Sequence, residues 1–117
     1  MDVRKQLGKL GEEKAANYLA GKGYKIIQQN YKCRIGELDI IAMEGKTLVV
    51  IEVKTRNNLS YGLPCEAITA SKKRHILRTL RHYITIHKLE DLNLRIDVME
   101  VLSTEAGIYI HHIKDAI

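Results

Sequence analysis

The sequence contains no tryptophan, no phenylalanine and only one proline, Pro64. Base stacking in a single-stranded nucleic-acid site would therefore fall to six tyrosines, which is a weak sign of such a site. Long apolar runs are missing too, since a run such as residues 48–51 is far too short to cross a bilayer. We therefore expect no membrane association.

Cysteine is also scarce. Cys33 and Cys65 are far apart in the sequence and form no closely spaced pair. Residues 1–9 are charged and no apolar segment follows them, so the sequence predicts no signal peptide. These features predict a cytoplasmic protein with two reduced thiols.

Length and composition are those of a globular protein and predict one compact domain over residues 1–117. Hydrophobic residues make up 45% and charged residues 28%. A chain of this length buries about two-thirds of its unfolded surface, so folding needs no disulfide or structural metal. The net charge of +5 is compatible with a phosphate-bearing partner, although many basic proteins bind no nucleic acid.

Hydrophobic periodicity predicts two helices and five strands in the order α-β-β-β-α-β-β. The helices are expected over about 3–22 and 71–87, and the strands over 24–29, 37–43, 46–55, 95–102 and 108–113. The stretch 57–65 is typical of a loop. This order predicts an α/β fold in which helices flank a mixed sheet.

Charged residues interrupt two of the apolar strands. Asp39 lies within GELDIIA at residues 36–42, and Glu52 and Lys54 lie within VVIEVKTR at residues 49–56. Such residues are costly inside apolar strands unless they are paired or bind a metal. The alternative is a solvated strand edge on which Glu52 and Lys54 take part only in a cross-strand ion pair.

The turn between these strands sets their register. A two-residue turn at Glu44-Gly45 pairs Met43 with Lys46, and a four-residue turn gives the same register. Because side chains alternate along a strand, one face then carries Glu37, Asp39, Glu52 and Lys54. The other face is filled by Leu38, Ile40, Val49, Ile51 and Val53. A three-residue turn would break this arrangement.

In that register Asp39 and Glu52 are diagonal neighbours, roughly 7 Å apart at the backbone. Crowded carboxylates repel each other, so either one is protonated or a cation lies among them. Hard oxygen ligands favour Mg²⁺ or Mn²⁺. Lys54 points to the same place, where it can orient or deprotonate a water or offset charge on a phosphate. This chemistry is typical of phosphodiester hydrolysis.

The first predicted helix offers a third acid. Glu12 lies at the margin of its apolar face, whereas Glu13 lies on its polar side. A helix packed on the sheet would therefore bring Glu12 to the acidic end of the strands. The alternative is a surface acid paired with Lys9 or Lys5.

The second predicted helix carries a basic side that can follow phosphates. Its basic residues are Lys72, Lys73, Arg74, Arg78 and Arg81, and Arg56 beyond the acidic strand is also expected to contact nucleic acid. The alternative is an ordinary solvated helix face. His111 and His112 point to opposite faces of the last strand and are interpreted as surface residues.

Several motifs between residue 7 and about residue 101 resemble the bacterial YraN-like family. They are Gly11-Glu12, Gly23-Tyr24, Asn30-Tyr31, GELDIIA at 36–42, EVKTR at 52–56, Gly62-Leu63-Pro64 and Arg95-Ile96-Asp97-Val98. GELDIIA and EVKTR together are quite specific. The family resembles a branch of the PD-(D/E)xK, restriction-endonuclease-like superfamily and is similar in its motifs to the archaeal Holliday-junction resolvases of that superfamily.

This resemblance implies an αβββαβ core, Mg²⁺ bound by Asp39 and Glu52, and a catalytic Lys54. Glu12 matches the helical glutamate of the resolvases and is expected to be a catalytic residue and a further metal ligand. Leu38 stands where the superfamily name has proline. The implied function is a metal-dependent endonuclease acting on branched or structured DNA, with a homodimer as one oligomeric state. Two alternatives stay open: a nucleic-acid-binding module that does not cleave, and a small protein-interaction domain with incidental acids.

Overall fold

A computed structural model describes residues 3–56 and 69–116, with side chains from residue 5 onward. The elements are α1 (Val3–Gly21), β1 (Lys25–Lys32), β2 (Glu37–Glu44), β3 (Thr47–Arg56), α2 (Ala70–His87), β4 (Asn93–Thr104) and β5 (Gly107–Ile113). The predicted element order and α/β class are confirmed. The predicted loop at 57–65 lies outside the described residues.

The five strands form one mixed sheet in the order β1-β2-β3-β4-β5. β3 and β4 run parallel, whereas the other neighbouring strands pair antiparallel. α2 provides the crossover between the two parallel strands, as such a connection requires. The arrangement is the expected αβββαβ core with β5 added at one edge.

Each helix covers one face of the sheet. The α1 side of the core contains Ala15, Ala16, Leu19, Ile40, Ala42, Val49, Ile51, Met99 and Val101. The α2 side contains Leu38, Ile41, Leu48, Val50, Ile76, Leu80, Tyr83, Ile84 and Ile96. Each fully buried aliphatic side chain contributes about 1.5–3 kcal/mol. The core can therefore offset the free-energy cost of burying an acid. β3 has such an acid at Glu52, the last of its consecutive buried residues 48–52.

The turn between β2 and β3 differs from the prediction. Gly45 and Lys46 form it, and Glu44 pairs with Thr47, so the predicted Met43–Lys46 pair is wrong. Gly45 has a φ of 58°, a conformation that glycine adopts without steric cost. Because the register moves by two residues, the predicted alternation of faces along β3 is kept.

The alternation along β2 breaks at Asp39. Leu38 was predicted on the same face as Ile40, but it packs in the α2-side core with Ile41. The described β2–β3 pairs run from Glu44↔Thr47 to Ile40↔Ile51, and Asp39 is the next residue along β2. The predicted face of Leu38 is therefore wrong, because the regular alternation of side chains along β2 is interrupted at Asp39.

α2 begins one residue earlier than predicted, after the N-cap residue Thr69. The Thr69 hydroxyl accepts a hydrogen bond from the backbone N–H of Lys72 at 3.1 Å. Lys88 ends the helix in a left-handed conformation. The cap fixes the first turn of α2 beside the end of β3. Neither described helix is long and apolar enough to cross a membrane.

Candidate functional site

A pocket of about 610 Å³ lies between the sheet and the start of α2. The sheet contributes three acids, Glu37, Asp39 and Glu52. The first turns of α2 and its cap contribute Thr69, Ser71, Lys72 and His75. Gly36, Val53, Ile76 and Thr79 complete the lining. Carboxylates from β2 and β3 thus share one cavity with polar and basic side chains from α2.

Asp39 is held in place by the neighbouring strand. Its Oδ2 accepts a hydrogen bond from the backbone N–H of Val53 at 2.9 Å. The side chain therefore satisfies a β3 amide just beyond the last described β2–β3 pair. The same carboxylate raises the pKa of Glu52 through hydrogen bonding and through its negative charge. Asp39 and Glu52 lie directly beyond the Ile40↔Ile51 pair on their strands, so they are not the diagonal neighbours predicted from the sequence.

Glu52 is only 5% exposed and depends on its neighbours for charge balance. Burial, followed by the hydrogen bond and negative charge of Asp39, raises the pKa of Glu52 to about 8, although Lys72 and Lys54 act in the opposite direction. Two carboxylates in contact cannot both remain anionic without a compensating charge. Near neutral pH the pair therefore requires a proton or a cation.

Lys54 lies two residues after Glu52 and is half-buried. Burial lowers the pKa of Lys54, and the adjacent amine of Lys72 lowers it further, while Glu52 and Asp39 act in the opposite direction. An amine with a lowered pKa more readily offers its lone pair to a proton. Lys54 can therefore serve either as a base or, when protonated, as a cation beside a phosphate.

The structure separates Lys72 from the other basic residues of α2. Lys72 is half-buried in the pocket, whereas Lys73, Arg74, Arg78 and Arg81 are exposed. Burial alone would lower the pKa of Lys72, but contact with Lys54 and the charges of Glu52, Asp39 and Glu37 raise it. Two amines, one from β3 and one from α2, thus meet beside the acids.

Glu12 lies on the side of α1 that approaches the acids. A Cβ at the preceding Gly11 would collide with the Oγ1 of Thr55, so the glycine permits close contact between α1 and β3. Burial, then the charges of Asp39 and Glu37, raise the pKa of Glu12, although Asn30 and Lys32 act in the opposite direction. Glu13, by contrast, is exposed.

Asn30 holds the Glu12 side chain. With its amide nitrogen turned toward Glu12, Asn30 donates to the two carboxylate oxygens at 3.0 and 3.2 Å. Glu12 therefore acts on Asp39 through its charge. No three His, Cys, Asp or Glu side chains come together as a ready-made metal site in the described part of the chain.

The donor atoms nevertheless fit a hard divalent cation. Asp39 and Glu52 line the same pocket and Asp39 raises the pKa of Glu52, so the pair holds a proton near neutral pH that a cation can replace. Mg²⁺ is commonly held by one or two protein carboxylates, with water and substrate phosphate completing its shell. Two acids are therefore sufficient protein ligands, and Glu12 adds negative charge nearby.

Arg56 is paired with Glu100, an acid that was not predicted from the sequence to be near the site. Its Nε lies 3.4 Å from Oε2 of Glu100 on β4. The other oxygen of Glu100 is buried, and no hydrogen-bond partner for it lies within the described residues. Glu100 interrupts an apolar strand just as Asp39 does. Its place beside Lys54 depends on the parallel β3–β4 register, which no turn in the sequence reveals.

Arg95 and Asp97, from the motif at 95–98, lie outside this pocket. Asp97 is fully buried and accepts bonds from Arg95 at 2.8 and 2.9 Å and from the backbone of Asp115 at 2.9 Å. His112 lies 2.7 Å from the same carboxylate, so its predicted surface position is wrong. β5 places His112 beside a buried acid that needs hydrogen-bond donors, whereas His111 is exposed. This group joins the strands and is structural.

Comparison with known proteins gives the family. Residues 11–101 match the family described as "Uncharacterised protein family UPF0102". A UPF0102 protein of Caldicellulosiruptor saccharolyticus is 46% identical over 98 residues, which cover 84% of this chain and 83% of that protein. Relatives of the same name from Dehalococcoides mccartyi and Alkaliphilus metalliredigens are each 43% identical over 114 residues, covering 97% of this chain and 94% and 99% of theirs. The chain therefore belongs to the UPF0102, or YraN-like, family.

Proposed function

We propose that this protein is a Mg²⁺- or Mn²⁺-dependent endonuclease that hydrolyses phosphodiester bonds. The observation that carries the proposal is that Asp39 and Glu52 line one pocket of about 610 Å³, with the charge of Lys54 acting on Glu52. A buried acid pair that lacks compensating charge attracts a divalent cation. An amine at the same place suits a reaction in which negative charge develops on a phosphate.

The residues divide the chemistry between them. Asp39 and Glu52 would hold the metal, which supplies a positive charge that activates water and stabilises the phosphate. The Val53 amide keeps Asp39 oriented. The water oxygen bonds to phosphorus as the bond to the leaving oxygen breaks. The water's proton passes to solvent, the protonated amine of Lys54 offsets the charge that develops on the phosphate, and solvent protonates the leaving oxygen.

The substrate is proposed to be DNA, of branched or structured form, in the cytoplasm. Support comes from the place of the acids within the αβββαβ core, with Asp39 on β2 and a Glu-x-Lys sequence on β3, as the PD-(D/E)xK resemblance implies. The four exposed basic residues of α2 extend beyond the pocket, where phosphates flanking the cut would lie: Lys73, Arg74, Arg78 and Arg81.

The test is a panel of labelled duplex, flap, four-way junction, single-stranded DNA and RNA incubated with Mg²⁺ or Mn²⁺. Wild-type protein should cut at least one DNA form. Asp39→Asn and Lys54→Ala should bind that form but fail to cut it. Equal cutting by both variants would show that the activity comes from elsewhere.

The second candidate function is a nucleic-acid-binding module that does not cleave. The observation that favours it is the exposed basic side of α2, which would bind phosphates whether or not a bond is cut. The same panel separates the two functions. A wild-type protein that binds DNA but leaves every substrate intact with both metals would establish the binding module.

A further inference from the structure

Lys72 lines the pocket, although the sequence places it in a run of basic residues expected on an exposed helix face. It belongs to the run Lys72-Lys73-Arg74, yet it alone of the three lines the pocket. The backbone N–H of Lys72 donates a 3.1 Å hydrogen bond to the Thr69 hydroxyl, so Lys72 belongs to a capped first turn of α2. Its amine lies beside that of Lys54 and within electrostatic range of Glu52, Asp39 and Glu37.

The formal charges of the acids and lysines at the pocket give Lys72 a role in binding phosphate. When a metal displaces the proton shared by Asp39 and Glu52, all three carboxylates that line the pocket are ionised, and with Lys54 and Lys72 protonated they leave one excess negative charge on the protein groups. A divalent cation would turn this into one excess positive charge, which a phosphodiester would then neutralise. Without Lys72 the metal-loaded site would already be neutral, and its attraction for the added phosphate and for the charge that develops on it would be weaker.

Lys54 and Lys72 belong to different elements of the fold. Lys54 comes from β3, whereas Lys72 comes from the helix on the other side of the pocket. Two cations that approach one place from different elements repel each other unless an anion lies between them. A phosphate oxygen is an acceptor that both amines can share.

We propose that Lys72 is a phosphate-binding residue of the active centre, whose ammonium group contacts a non-bridging oxygen of the scissile phosphate together with Lys54. This inference rests on the proposed nuclease function and adds a residue to it. Lys73, exposed on the same turn of α2, would contact only flanking phosphates. The two neighbouring lysines therefore have different kinetic roles.

Kinetics of three variants test this division on the best-cleaved DNA. Lys72→Met keeps the apolar stem of the side chain and removes the charge. It should lower kcat by about 100-fold, the typical effect of losing one group that stabilises transition-state charge, with little change in KM. Lys72→Arg should recover part of that loss. The matched control Lys73→Met should raise KM and leave kcat near the wild-type value.

A second readout does not depend on turnover. Wild-type lysines are acetylated with and without a saturating four-way DNA junction, with Ca²⁺ replacing Mg²⁺, and each site is quantified by mass spectrometry. Bound DNA should abolish acetylation of Lys72, whereas Lys22, exposed at the end of α1, should react as before.

The outcomes separate the two proposals. Undiminished acetylation of Lys72 under bound DNA, or a wild-type kcat for Lys72→Met, overturns the role of Lys72 even if the protein is a nuclease. Protection of Lys72 in a protein that cuts nothing supports phosphate binding and overturns the nuclease function. A protein that binds none of the nucleic acids overturns both.

Discussion

Oδ2 of Asp39 and the backbone N–H of Val53 form a 2.9 Å hydrogen bond between β2 and β3. The acid proposed to bind a metal therefore also satisfies a part-buried amide of the central strand. This double role predicts that two substitutions of Asp39 will have different effects on stability. Asparagine keeps an oxygen that can accept the bond, whereas alanine leaves the amide unpaired.

We expect Asp39→Ala to be less stable than Asp39→Asn by about 1–3 kcal/mol, the cost of a buried donor without an acceptor. Asp39→Asn should be at least as stable as wild type without metal, because it also relieves repulsion with Glu52. Urea unfolding in EDTA measures both differences. Equal stability of the two variants would contradict a structural role for the hydrogen bond.

Glu52 gives the protein a pH-dependent stability. Its folded pKa of about 8 lies above the ordinary 4.5, so between these values the folded state binds more protons than the unfolded state. Stability from this group is therefore fully present below about pH 4.5 and is lost as pH rises through 8. In EDTA, wild type should lose on the order of a few kcal/mol between pH 5 and 9.

Glu52→Gln is the matched control for this effect, because it keeps the shape of the side chain and cannot ionise. The variant should lose much less stability than wild type over the same pH range, and at pH 9 it should be the more stable protein. Parallel stability profiles for the two proteins would show that Glu52 is not the group responsible.

Metal binding should restore the folding stability that the protein loses at high pH. A cation that binds only the folded state at 100 times its dissociation constant stabilises it by about 2.7 kcal/mol. Because protons compete with the metal for Asp39 and Glu52, Mg²⁺ should stabilise wild type more at pH 9 than at pH 6. Thermal unfolding with Mg²⁺ and with EDTA measures this. Stabilisation of Glu52→Gln as large as that of wild type would contradict binding at this pair.

Two glycines of α1 provide a test of how Glu12 is positioned. A Cβ at Gly11 would collide with Thr55, whereas a Cβ at Gly8 would meet no atom within 4 Å. Gly8→Ala should therefore stabilise the protein by up to about 1 kcal/mol through helix propensity. Gly11→Ala should destabilise it by about 1–3 kcal/mol through overpacking. Equal melting temperatures for the two variants would contradict the close packing of α1 on β3.

The acidic site was predictable from local rules. Asp39, Glu52 and Lys54 interrupt apolar strands, and an error of two residues in the turn left their faces unchanged because the side-chain period is two. Glu12 was predicted to approach the acids from its place on the helix, although sequence alone could not distinguish it from a surface acid. The Gly11–Thr55 contact that brings it close depends on how α1 packs on the sheet.

Contacts between distant elements were not predictable in this way. Lys72 looked like one more member of a basic helix face, because helical periodicity does not say where the helix starts relative to the sheet. Glu100 was missed because the β4 register follows a crossover rather than a turn. His112 was misplaced because alternation along β5 does not show that one of its faces meets the buried Asp97. In each case the missing information was the packing of one element on another, which local sequence does not encode.

The exposed arginines of α2 give the last prediction. Arg74, Arg78 and Arg81 are solvent-exposed beyond the pocket, so they would bind flanking phosphates without touching the bond that is cut. Each phosphate contact that is lost reduces the slope of log affinity against log salt by about 0.9 for duplex DNA. Replacing all three by alanine should therefore weaken binding at low salt and lower the slope by up to about 2.7.

The control removes the same charge from another surface. Lys5, Lys9 and Lys14 are exposed on α1, so their triple alanine variant lowers the net charge equally without changing α2. If only the α2 variant flattens the salt dependence, DNA crosses the α2 surface. An equal change in both variants would mean that overall charge, and not a defined track, attracts the nucleic acid. Because kcat at saturating DNA depends on the pocket, it should stay near the wild-type value in both.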